Sequence, residues 1–259
     1  MKSCNKDVEF EQAKYDKSAM ADLEKSCKDM QQEPIFYGIE PQHLSPYIDY
    51  YAALDSTLVN NVMVLELGSG TGRLITPFVG RNCRITALDV SEKSLKVLQI
   101  RTGGKVKTLQ ASMDNIPLPD SSIDVVLSSG SLSYADSQLV DSEIDRILRP
   151  GGSLILLDTL NHNVIYRFNR LLQVLRGKRS YSTFKRIPDL NRILSYSLKF
   201  QHVTVKYYGK YLWLFKPLAI LLGVVRAVRV LEYLDSSESQ KKLAFKFLLV
   251  AHGFTPNTK

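Results

Sequence analysis

Residues 64–73, VLELGSGTGR, close a short apolar run on a carboxylate, Glu66, and then place glycine at every second position, Gly68, Gly70 and Gly72, with Ser69 among them. Glycines at such spacing leave the backbone bare and free to take positive φ, which suits a turn pressed against a ligand. About 20 residues on, a second apolar run, RITALDV, ends in Asp89, an acid that can accept hydrogen bonds from a ribose diol. A dinucleotide site prefers Gly-x-Gly-x-x-Gly, because its third glycine allows close helix packing. Counted from Gly68, that place holds Arg73, so a dehydrogenase fits poorly.

A loop and an acid meet in space only if the strands that carry them are neighbours. Five short runs rich in Val, Ile and Leu, namely VMVLEL, RITALDV, VKTLQA, IDVVLSS and GSLILLD, have the length and composition of buried strands. The segments TGRLITPFVG, SEKSLKVLQIR and QLVDSEIDRILRPGG have helical periodicity; Ser91 is placed to cap the second, and Pro150 with Gly151 to stop the third. Alternation of this kind predicts a parallel sheet with crossover helices, in which ligands bind beyond the carboxyl ends of the strands. Beyond Asp158 comes basic helical text, VIYRFNRLLQVLRGKR, then a loop and helix around TFKRIPDLNRILSYSLKF. Two more strand candidates, HVTVKYYG and LAFKFLLVAHG, flank a greasy helix. The expected organisation is an N-terminal helical lid over 1–60, a ligand-binding core over 61–160, and a basic region over 161–259 that completes the sheet.

The acid before the loop and the Gly-x-Gly-x-Gly spacing resemble the class I S-adenosylmethionine (AdoMet) methyltransferases, in particular the small-molecule, type 11 branch that includes quinone and sterol methylases. Two further motifs extend the resemblance in order: IPLPDSSIDVVLSS leads into the fourth strand and RILRPGGSLIL into the fifth. The resemblance implies a Rossmann-like, doubly wound sheet of seven strands, mostly parallel with the last antiparallel, and a helical insertion between strands 5 and 6. It implies AdoMet as cofactor, with the backbone of Glu66, Gly68, Ser69, Gly70 and Gly72 along its methionine part. Glu66 would stand on the amine side, Asp89 on the ribose hydroxyls, and Val90 on the adenine. Ser112 and Met113 would meet the adenine edge, although Ser112 departs from the family's usual Asp there. Carbonyls of Ser128 and Ser129 would face the ammonium, and Tyr15, in KYDKSA, would close over the cofactor.

Methyl transfer to a hydroxyl needs alignment and a base. His162, just past the fifth strand, is the first candidate and Tyr134 the second. His43, His202 and His252 are more distant ones. No histidine–cysteine–carboxylate spacing suggests a metal, and Cys4, Cys27 and Cys83 show neither disulfide nor zinc spacing, which points to a reducing, cytoplasmic setting.

The halves differ sharply in charge: 16 Lys/Arg against 21 Asp/Glu in residues 1–150, and 18 against 5 in residues 151–259, or −5 and +13. The basic half predicts an anionic partner. Arg167, Arg170, Arg176, Lys178, Arg179, Lys185 and Arg186 suit a small-molecule acceptor with phosphate or carboxylate, and the greasy stretch at 211–234 adds an amphiphilic character. Contact with an acidic membrane surface and a homodimer face are both open at this level; Lys216, Pro217, Arg226 and Arg229 interrupt the stretch too often for it to span a bilayer. The segments HNVIYRFNR and AFKFLLVA resemble C-terminal halves of bacterial methylases from glycan and secondary-metabolite gene clusters. The expectation is therefore O-methylation of a small or glycan/lipid-linked acceptor. Alternatives are a quinone-type C-methylase, a non-catalytic AdoMet-binding protein, and a nucleic-acid methylase. The last is disfavoured because the basic residues lack interleaved aromatics or a recognisable RNA module.

Overall fold

The computed structural model describes residues 12, 13, 16, 19, 36, 38–59, 61–177, 180–236 and 240–256. Among them, seven strands form one sheet in the order β3-β2-β1-β4-β5-β7-β6. The strands are β1 Met63–Leu67, β2 Arg84–Asp89, β3 Lys107–Gln110, β4 Ile123–Ser129, β5 Leu148–Thr159, β6 Phe200–Tyr208 and β7 Lys246–Phe254. β1 to β5 pair in parallel, and β7 runs antiparallel to both of its neighbours, β5 and β6. This is the expected Rossmann-like, doubly wound sheet with its last strand reversed. Strand order turns around between β1 and β4, so the crevice for a ligand opens at their carboxyl ends.

The helices are α1 Ser45–Thr57, α2 Glu92–Arg101, α3 Ser137–Ile147, α4 Val164–Leu175, α5 Tyr181–Arg186, α6 Leu190–Ser197, α7 Phe215–Leu222 and α8 Val224–Asp235. Side-chain alternation along β1 decides which layer each residue meets. Leu65 and Leu67 join the core that includes Val140 and Ile144 of α3, while Val64 joins the core that includes Tyr50 and Leu54 of α1. Glu66 therefore points toward the α1 layer. Caps set helix starts as the sequence suggests: Ser91 accepts from the Ser94 amide at α2, and Asp136 accepts from the amides of Gln138 and Leu139 at α3.

Three local expectations are corrected. Residues 71–80 form a turn that closes in a short 3-10 segment, Thr76–Phe78, and not a helix, because Gly72 and Gly80 take positive φ on either side of it. The third predicted helix ends at Ile147, before Pro150. Pro150 and Gly151 lie inside β5, where the register shift between the Ile123 and Val125 pairings absorbs the irregularity. The greasy stretch is not one helix: Gly223, at φ 79°, divides it into α7 and α8.

Between β6 and β7 the chain makes a long excursion. Tyr208 pairs with Lys246, and everything from 209 to 245 leaves and rejoins the sheet at that pair. Asp235, ending α8, accepts from the amides of Gly209 and Lys210, and the Lys210 ammonium donates to the Asp235 carbonyl. Two residues of the N-terminal segment lie at the other end of the sheet, where Asp16 accepts from Ser91 Oγ and pairs with Lys93, and Ala19 packs on Val97 of α2.

Candidate functional site

A crevice of about 690 Å³ opens at the carboxyl ends of β1, β2 and β4. Gly68, Gly70, Asp89, Val90, Ser112, Met113, Ser129 and Tyr134 line it, eight of the sequence candidates brought together from four segments. Leu88, Ala111, Gly130, Ser131 and Ala135 complete the wall. Its size and largely apolar lining suit a nucleoside-sized ligand.

The three loop glycines have different roles. All take positive φ. A side chain on Gly68 would place its Cβ 2.4 Å from Ser131 Cβ, and one on Gly72 would come 2.6 Å from Leu98 Cγ. At Gly70 nothing lies within 4 Å, and the same holds at Gly130 across the crevice. Gly68 and Gly72 therefore let protein pack on protein, whereas Gly70 and Gly130 leave bare backbone toward the crevice. Gly72 does not line the crevice, and Ser69 is turned away from it, its amide donating to the Leu88 carbonyl at 3.0 Å.

Asp89 holds the loop as well as facing the crevice. One carboxylate oxygen accepts from the Gly70 amide at 2.8 Å and the other from the Ser91 amide at 2.8 Å. Each oxygen retains a lone pair for a further donor. Burial raises its pKa, and those two amides pull the other way.

Glu66 lies buried behind the loop. Its Oε2 has no hydrogen-bond partner, and neither have the buried hydroxyls of Tyr50 and Tyr51 on α1. Burial, reinforced by the charge of Asp89, pushes the Glu66 carboxyl up to about 8. The same carboxylate, after burial, raises both tyrosines, so the three groups share one pocket of field. Buried polar atoms left unpaired cost roughly 1–3 kcal/mol each, so these three groups call for a polar partner, and Glu66, once ionised, for a cationic donor. An ammonium group fits that set. A ribose diol fits Asp89, and an adenine fits between the apolar Val90, Leu88, Ala111 and Met113. The residues present thus suit AdoMet on chemical grounds.

A serine relay fixes the crevice's other wall. Ser131 Oγ donates to the Leu67 carbonyl at 2.9 Å and lies 2.7 Å from Ser128 Oγ, which ties the end of β1 to the end of β4. The Ser128 hydroxyl is thereby used up and does not line the crevice. Asp158, buried at the end of β5, accepts from the amides of Leu132 and Thr159 and so holds the 131–135 turn that presents Tyr134. The loop bearing Ser112 and Met113 is anchored by α3: Glu143 accepts from the Ile116 amide, and Arg146 donates to the carbonyls of Ile116 and Leu118.

His162 stands elsewhere. Its Nε2 accepts from the Leu190 amide at 3.0 Å, at the first turn of α6, so it acts in local structure and is not among the crevice-lining residues. Tyr15 lies outside the described residues. Sequence reasoning missed Tyr50, Tyr51, Ser131 and Asp158. Asp158 had a signal, since it closes a strand just as Glu66 and Asp89 do; the tyrosines had none, because only the packing of α1 brings them to Glu66. Among the described residues, no group of His, Cys, Asp and Glu is arranged to hold a metal ion.

Comparison with known proteins agrees with this geometry. Residues 65–156 match the family model described as a methyltransferase domain. An uncharacterized methyltransferase of Mycobacterium tuberculosis is 38% identical over 94 residues, 36% of this chain and 38% of that protein. The ubiquinone/menaquinone biosynthesis C-methyltransferase UbiE of Shewanella piezotolerans is 31% identical over 104 residues, 37% of this chain and 41% of that protein. The matches thus span well under half the length of these relatives. Among solved structures, a SAM-dependent methyltransferase of Thermotoga maritima superposes with a TM-score of 0.51 at 18% identity, covering 85% of this chain and 98% of that one, which supports the shared fold. The resemblance to the class I, small-molecule branch is thereby shown for the segment carrying the loop, Asp89 and the fourth and fifth strands.

Proposed function

We propose that this chain is an AdoMet-dependent methyltransferase acting on a small-molecule acceptor, with the cofactor in the crevice between β1 and β4. The observation that carries the proposal is the conjunction of Asp89 and the open backbone of Gly70 around one nucleoside-sized space, with the buried Glu66 oxygen that has no hydrogen-bond partner behind the loop and outside the crevice lining. AdoMet, when bound, supplies a methyl group on a sulfonium carbon open to in-line attack. The chain supplies placement: Glu66 with Tyr50 and Tyr51 takes the amine, Asp89 the ribose, and Val90, Ser112 and Met113 the adenine, while Ser129 and Gly130 leave room beside the methyl.

The acceptor we favour is an amphiphile with an anionic head, of glycan or secondary-metabolite type, methylated at oxygen. The net charge of +13 in residues 151–259 supports the anionic head. Tyr134 supports oxygen, as a hydroxyl on the crevice wall able to accept a hydrogen bond from an acceptor hydroxyl and so orient it. Carbon methylation is the second reading, favoured by the likeness to UbiE.

Calorimetry with AdoMet, and with NAD as control, tests the cofactor; transfer from methyl-labelled AdoMet into fractionated extracts, followed by mass analysis, tests the reaction and names the atom. Asp89→Ala should weaken AdoMet binding by about thirtyfold, the equivalent of roughly 2 kcal/mol for lost hydrogen bonds to a charged group. A fall in melting temperature with an unchanged dissociation constant would show that Asp89 serves only the loop.

A further inference from the structure

Helix α4 is built inside out. Its buried residues are Tyr166 and Arg170, whereas Val164, Ile165, Phe168, Leu171 and Leu175 are exposed, Phe168 at 62% and Leu175 at 75%. Ile165, Phe168 and Leu175 recur at helical spacing, so they form a stripe, and that stripe faces away from the core that would ordinarily receive it. The polar side is what docks: Tyr166 Oη donates to the Gly209 carbonyl at 2.7 Å, and Arg170 donates to the Leu160 carbonyl and lies over the Phe245 ring.

Helix α7 repeats the pattern. FKPLAILL is apolar but for Lys216, yet none of its residues is buried, and Ile220 and Leu221 are 88% and 79% exposed. Trp213, before it, and Val224 and Val225, after Gly223, are exposed as well. Two apolar faces, one on α4 and one on the 212–225 stretch, are thus left exposed, and Tyr166 ties the docked side of α4 to Gly209 at the start of the excursion that carries the second. An apolar surface of this extent on a folded chain marks a contact surface.

Charge selects what covers it. Arg167 on α4, Arg176 just after it, Lys216 on α7, and Arg226 and Arg229 on α8 are exposed, and residues 161–234 hold fourteen Lys/Arg against two acids. Of those acids, Asp189 caps α6 and Glu232 accepts from Ser45. A second copy would bring the same positive rim against itself. Of the N-terminal residues, Asp16 and Ala19 dock on α2 at the far end of the sheet, and His43 and Ser45 meet Phe245 and Glu232 with no contact to the exposed stripe of α4 or to Ile220 and Leu221 among the described interactions. An anionic lipid surface satisfies both features at once, since acyl chains take the apolar stripe and acidic head groups take the basic rim. Among the described residues no helix is long and apolar enough to cross a membrane, so the contact is one of lying on the surface.

We propose that the apolar faces of α4 and α7, with their rim of arginines and Lys216, seat this chain on an acidic membrane surface. The face lies where β5 and β6 end, the same edge of the sheet at which the β1–β4 crevice opens, so seating brings the crevice toward the bilayer. This inference rests on the fold and stands apart from the methyl-transfer proposal.

The test is flotation of the full chain with vesicles of phosphatidylcholine alone or mixed with phosphatidylglycerol, with emission from Trp213, the single tryptophan of the chain, as a second readout. The expected result is at least tenfold tighter binding to the acidic vesicles, weakened by salt, with a blue shift of Trp213. The double variant Ile220→Asp, Leu221→Asp should lose at least tenfold in vesicle affinity and keep the wild-type affinity for AdoMet. Absent flotation with acidic vesicles, or equal flotation of wild type and double variant, would overturn the proposal. So would a dimer in light scattering that the double variant dissolves while neither protein floats.

Discussion

Gly68→Ala and Gly70→Leu are expected to fail in opposite ways: the first weakens the fold, the second keeps the fold and loses the ligand. At Gly68 the new Cβ meets Ser131 Cβ at 2.4 Å, and Ser131 cannot step aside without releasing the Leu67 carbonyl and Ser128. Left-handed backbone at φ 63° costs an alanine about 1 kcal/mol more, so with overpacking the total is about 3 kcal/mol. For a chain of this size that lowers the melting temperature by roughly 10 °C. At Gly70 a leucine carries the left-handed cost alone, because nothing lies within 4 Å of its Cβ. Its side chain enters the crevice, and AdoMet affinity should fall by about a hundredfold, near 2.7 kcal/mol. Thermal melts and calorimetry on the pair decide the matter. If Gly70→Leu binds AdoMet like wild type, the crevice is not the cofactor's site.

Glu66→Gln should make the ligand-free protein more stable and the cofactor weaker at the same time. A carboxyl raised from 4.5 to about 8 by burial and by Asp89 is held protonated in the fold near neutrality. For such a group the folded state favours the acid form, so its burial costs nothing below pH 4.5. The cost grows as pH rises toward 8 and is constant above it. The displacement corresponds to a ceiling of about 5 kcal/mol above pH 8 and about 3 kcal/mol at pH 7. Glutamine removes this cost, so its melting temperature should exceed wild type by several degrees at pH 8 and by little at pH 5. The ammonium of AdoMet, conversely, stabilises the carboxylate and pulls its proton off. Binding at pH 7 should therefore release a proton in wild type and not in Glu66→Gln, and the variant should bind at least about thirtyfold more weakly. Calorimetry in buffers of different ionisation heat reads both. An equal stability gain at pH 5 and pH 8 would show that Glu66 is not the titrating group.

The crevice half of the molecule was open to sequence reading because its signals are local. Apolar runs of strand length, an acid at the end of β1 and of β2, and glycines between them need only their neighbours in sequence to be understood. Asp89 and Gly70 illustrate this: their bond joins two strand ends that parallel pairing already places side by side. The same locality explains the misreadings. The 71–80 text has apolar periodicity, yet Gly72 bends away because Leu98, distant in sequence, occupies the space a side chain would need. His162 looked free because its partner, the Leu190 amide, comes from a helix whose docking no spacing rule predicts. Tyr50 and Tyr51 were invisible for a related reason: α1 packs on the β1–β5 layer through long-range contacts, and only then do their hydroxyls fall near Glu66. The orientation of α4 was likewise beyond reach, since amphipathic text fixes that a helix has two sides and not which of them meets the core.

The excursion between β6 and β7 carries a consequence for protein engineering. It departs and returns at the single pair Tyr208–Lys246, with its departing end latched by Asp235 and its returning end by the Phe245 amide on the Tyr208 carbonyl, and so it is a cassette spliced into a hairpin. A tight turn grafted across that pair would delete α7 and α8 and leave every strand register intact. Conversely, the cassette transplanted into another antiparallel hairpin would carry its greasy, basic character along to the new host.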